Sequence, residues 1–82
     1  MANFVHILKI GNYNRLKEEY QFYDMDVFSS RRKLVKAIEN HITTNGGYNI
    51  AWNHKDMISY ECLSTDSNVM KIRYLIIKKV VN

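Results

Sequence analysis

Eighty-two residues suffice for one domain spanning 1–82, which at this size buries roughly 60–65% of the surface its unfolded chain exposes. With 46% hydrophobic and 24% charged residues, and no repeat or low-complexity tract, the composition excludes disordered and fibrous classes; no apolar run approaches the ~20 residues of a membrane helix. The formal charge of +4 lies in two islands, residues 31–36 and 71–82, each carrying +4 against an acidic excess elsewhere, a pattern of either an anionic partner or a basic surface with solvated lysines, which says nothing about fold.

A single cysteine, Cys62, makes no internal disulfide and fits a reducing compartment. The opening residues lack the charged, apolar, small order of a secretory signal, so a cytosolic protein is expected. Lysine outnumbers arginine eight to four, and Asn, Ile and Tyr are abundant, as in AT-rich genomes.

The segment Phe4-Val5-His6-Ile7-Leu8-Lys9-Ile10, apolar on both faces and bounded by Gly11-Asn12, reads as a central strand. Residues 13–19 read as a long hairpin loop in preference to a single helical turn. Tyr20 to Phe28 alternates as a half-buried second strand, with Tyr23, Met25 and Val27 on one face and Phe22, Asp24 and Asp26 on the other.

Ser29 or Ser30 then offers an N-cap hydroxyl, and Leu34, Val35, Ile38 and Ile42 recur at helical spacing. Arg31, Arg32, Lys33 and Lys36 crowd the start of this helix, where the partial positive charge of the terminus disfavours each cation by a few tenths to ~1 kcal/mol. On a helical wheel Arg32, Lys33 and Lys36 fall away from the apolar stripe, whereas Arg31 lies beside it and must bend outward. The helix is expected to end at Thr43-Thr44-Asn45-Gly46-Gly47, where Asn or Gly can take the left-handed conformation.

Residues 48–52 and 57–63 read as a hairpin around the turn Asn53-His54-Lys55-Asp56. After the turn signal at 64–68, residues 69–81 form the longest apolar run, a central strand with Met70, Ile72, Tyr74 and Ile76 on one face and Lys71 and Arg73 on the other. The order ββαβββ predicts an α+β fold, a single antiparallel-rich sheet with one helix packed across one face.

In its apolar opening strand, its Val27-Phe28-Ser29-Ser30 helix start and its closing Lys71-Ile72-Arg73-Tyr74-Leu75-Ile76-Ile77 strand, the chain resembles small phage- or prophage-encoded accessory proteins. The resemblance spans residues 4–10, 23–42 and 69–81. Such proteins place an acidic residue in the first helical turn, where this chain has Arg31-Arg32-Lys33. The resemblance implies an accessory protein acting on a host component in the cytoplasm of a bacterial host.

No catalytic constellation is legible. His6, His41 and His54 are scattered, and Asp24 and Asp26 on one strand face read as a solvated edge, or one paired with Lys71 and Arg73, in preference to a metal site. Cys62 alternates with Ile58 and Tyr60 as a buried thiol, without the base and orienting group a nucleophile needs. Asn45-Gly46-Gly47 follows a helix, the reverse of a phosphate loop, and no recognised nucleic-acid module is present. Neither metal nor cofactor is expected.

With the resemblance, the small size and the basic character, the expectation is a non-enzymatic binding protein of phage type that modulates or inhibits a host macromolecular complex, a CRISPR-type ribonucleoprotein being one instance that the resemblance implies. Its partner surface would be acidic or phosphate-bearing. Arg31, Arg32, Lys33 and Lys36 would meet carboxylates or phosphates, with Trp52 as apolar anchor and Lys71 and Arg73 extending the cationic surface. The alternative is nucleic-acid binding without sequence specificity, using the same helix with Lys71, Arg73, Lys78 and Lys79, and Tyr13, Tyr20, Phe22 or Tyr48 for stacking.

Overall fold

The computed structural model describes residues 3–81. Its elements are β1 (Asn3–Asn14), β2 (Glu19–Phe28), α1 (Arg31–Thr44), β3 (Tyr48–His54), β4 (Met57–Leu63) and β5 (Val69–Val81). The strands form one sheet in the order β2-β1-β5-β4-β3, every neighbouring pair antiparallel. The fold is α+β, with five strands and one helix among the described residues.

The two strands that read as central, β1 and β5, lie inside the sheet, where the long ladder between Asn3↔Val81 and Asn12↔Ile72 joins them. β1 does not stop at Gly11-Asn12 but continues to Asn14. The expected long loop shrinks to Arg15–Glu18, because the Asn14 side-chain oxygen accepts the N–H groups of Leu16 and Lys17 at 3.0 and 3.2 Å and closes a tight turn. β3 likewise runs on to His54, leaving Lys55-Asp56 as a two-residue turn.

The alternation expected along β2 breaks in the middle. Lys9 pairs with Asp24, but Leu8 pairs with Asp26, so Met25 is an extra residue in a bulge. Because Leu8 and Lys9 point to opposite faces, Asp24 and Asp26 do too, and Val27 parts from Tyr23 and Met25. Met25 and Phe28 pack against the core, while Tyr23 and Val27 are exposed.

α1 starts where Ser30, extended at φ −144°, accepts the Lys33 N–H on its side-chain oxygen at 3.3 Å. Leu34, Ile38 and Ile42 are buried against Leu8, Ile58, Tyr60, Cys62, Ile72, Tyr74 and Ile76. Burial of one such side chain contributes roughly 1.5–3 kcal/mol. The helix closes with Gly46 left-handed at φ 64°, the Gly47 N–H donating to Ile42 and the Gly46 N–H to Thr43. Asn45 then donates to the Tyr60 hydroxyl at 3.0 Å, which lies 3.1 Å from that of Tyr74, so the helix end is bonded to the centre of the sheet. Burial, helped by the Tyr60 hydrogen bond, pushes the Tyr74 phenol well above the usual tyrosine range.

One face of the sheet is therefore covered by α1, and the other has no helix over it among the described residues.

Candidate functional site

The cations at the helix start divide by geometry. Arg31, the one beside the apolar stripe, bends to the β3–β4 turn: its guanidinium donates to the Asp56 carboxylate at 2.7 Å and to the Lys55 carbonyl. The hydrogen bond from that guanidinium holds the Asp56 carboxyl below the usual carboxylate range, against the opposing effect of burial. Arg32, Lys33 and Lys36 are exposed, and none has a carboxylate partner among the described residues; Lys33 reaches only the Ser29 hydroxyl, at 3.4 Å. The first turn holds no acidic residue. An open depression on this flank is lined by Arg31, Arg32, Val35, Lys36 and Glu39.

Trp52, 46% exposed, pairs with Ile58, a residue of the core beneath the helix, and so stands on the helix side of the sheet. It lies on the edge strand β3, all of whose residues are exposed and whose register slips twice against β4. Lys71 and Arg73 do not join the basic helix. They alternate with Ile72 and Tyr74, which lie under α1, and therefore occupy the opposite face. The residues expected to form one partner surface thus fall on two sides of the sheet, and the signal that separates them was the alternation of the last strand itself.

On that open face β5 meets the hairpin of β1 and β2. The Arg73 guanidinium lies 4.2 Å from the centre of the Tyr20 ring, and the Lys71 ammonium 5.5 Å from that of Tyr13. Tyr13 and Tyr20 meet edge to face at 5.2 Å, and Tyr20 and Phe22 lie 6.1 Å apart. Phe22 rests on Gly11, where an added Cβ would sit 2.5 Å from the ring. The partner of Asp24 is Lys9 at 2.9 Å, and not Lys71 or Arg73. Sequence reasoning named these aromatics for stacking but missed their grouping with Lys71 and Arg73 alone; a hairpin register aligning Tyr13 with Tyr20 and Gly11 with Phe22 carries it.

No set of three or more His, Cys, Asp or Glu side chains converges as a metal site among the described residues. The Asp24/Asp26 pair is divided by the bulge, His54 accepts the Asp56 N–H at 3.1 Å, and Cys62 is buried in the core. No described helix is long and apolar enough to cross a membrane. No protein-family model matches the chain, and no curated protein or solved structure does either.

Proposed function

We propose that the chain is a non-enzymatic binding protein that engages a host macromolecular complex through the helix face of Arg32, Lys33 and Lys36. The observation that carries this reading is local: the exposed Arg32 and Lys33 sit on the turn of α1 that least tolerates cations, the exposed Lys36 follows one turn on, and none of the three has a carboxylate partner among the described residues. A partner's carboxylates or phosphates would relieve that arrangement. Arg31 serves the same surface indirectly, by fixing the helix start to the β3–β4 turn. Exposed Trp52, on the same side of the sheet, supplies an apolar anchor. In this reading the protein is of phage type, works in the cytoplasm of a bacterial host, and modulates or inhibits a defence or nucleic-acid-processing assembly such as a CRISPR-type ribonucleoprotein.

The test is recovery of a partner from host lysate by the wild type and by an Arg32→Glu/Lys36→Glu variant of unchanged fold. Recovery by the wild type and loss by the variant are expected. Equal recovery removes this face from the interface and overturns the proposal.

A further inference from the structure

We propose that the face of the sheet opposite α1 is a second site, which binds single-stranded nucleic acid by stacking bases on Phe22 and on the Arg73–Tyr20 pair while Lys71 and Arg73 meet phosphates. Three observations support it. The Phe22 ring has one face against Gly11, so close that any Cβ there would enter the ring, and therefore turns its other face away from the sheet. The Arg73 guanidinium covers Tyr20 at 4.2 Å and so presents a second flat cationic surface beside Phe22. Its Nε is shielded from solvent and makes no hydrogen bond.

Charge on this face selects the partner. Asp24 is held by Lys9, and Glu61 accepts from Asn49 at 2.5 Å. Glu61 stands across the β4–β5 ladder from Lys71, but among the described residues neither carboxylate forms an ion pair with Lys71 or Arg73, so both cations beside the row of rings are open to a phosphate. Phosphates with unstacked bases satisfy both halves of the row, because every base has a flat face for an aromatic or a guanidinium plane. A duplex satisfies only the cations, since its bases are already stacked. The site is independent of the proposed helix interface, from which the sheet separates it.

The experiment is fluorescence anisotropy of a labelled pyrimidine oligonucleotide of about ten residues at low salt, as DNA and as RNA, with the duplex of the same sequence as competitor. Saturable binding is expected, weakening with salt at a log–log slope near −1.4, as two phosphate contacts predict. Arg73→Gln with Lys71→Gln should weaken it about tenfold or more, as should Tyr20→Leu, whereas Arg32→Gln with Lys36→Gln should change it less than about twofold. Amide NMR shifts should concentrate on Gly11, Tyr13, Tyr20, Phe22 and Arg73; the same spectra show whether each variant is folded. No saturable binding by the folded wild type, preference for the duplex, or shifts confined to α1 would overturn the proposal. None of these outcomes bears on recovery of a partner through the helix.

Discussion

Arg31 and Asp56 are joined at 2.7 Å across 25 residues of chain, so the basic first turn of α1 is tied to the turn between β3 and β4. The hydrogen bond from Arg31 lowers the Asp56 pKa. A lowered folded-state value means that this stabilisation is present above the ordinary carboxylate range near 4 and is lost as pH falls through the depressed value. Both side chains are more than a third exposed, so Asp56→Asn should cost under about 1 kcal/mol. Urea midpoints at about pH 6 and about pH 3 should differ less for the variant than for the wild type.

Lys33 is the third helical residue after Ser30, whose hydroxyl already accepts its N–H. Lys33→Glu would complete a capping box and place a negative charge where the helix favours one. Thermal unfolding should show a gain of about 0.5–1 kcal/mol, while partner recovery from lysate should fall. A variant that gains stability and keeps its partner would separate Lys33 from the interface.

Tyr60 links Asn45 to Tyr74 through its hydroxyl, with both rings at most 2% exposed. Tyr60→Phe leaves the Tyr74 hydroxyl buried without its partner and should cost about 1–3 kcal/mol in urea unfolding. Tyr74→Phe should cost less, because Tyr60 keeps Asn45. The Tyr74 pKa is raised in the folded chain, so its contribution is full below the ordinary tyrosine value near 10 and is lost as pH rises through the folded one. Stability measured upward from about pH 10 should fall more steeply for the wild type than for Tyr74→Phe.

Gly11 and Gly46 are required for different reasons. At Gly11 an added Cβ meets the Phe22 ring at 2.5 Å, whereas Gly46 has open space but φ 64°. Gly11→Ala should cost about 1–3 kcal/mol and displace the Phe22 ring signals in NMR spectra, since the ring must lift from the strand. Gly46→Ala should cost about 1 kcal/mol, Gly46→Asn less, and both should leave those signals in place.

The helix was legible because Leu34, Ile38 and Ile42 repeat at one period behind a serine cap, signals carried by neighbouring residues. Strand positions were legible for the same reason. The bulge at Met25 was not, since Tyr23-Asp24-Met25-Asp26 contains neither Gly nor Asn and continues the alternation it breaks. Strand order was equally hidden: β1 and β5 both read as central strands, but their pairing joins residues sixty or more positions apart. Of the candidate site, the exposed helix cations could be placed from the wheel. The grouping of Arg73 with Tyr20 needed the register of three strands at once.

The β1–β5 ladder also sets when the chain can fold. One of the two sheet partners of β1 is β5, which follows it by more than fifty residues, and the core beneath α1 needs Ile72, Tyr74 and Ile76 from that strand. During synthesis the first hairpin waits with the apolar sides of β1 uncovered. Closure of the sheet thus depends on non-local pairing, whose loop-closure cost slows folding relative to a fold of the same length built from local contacts.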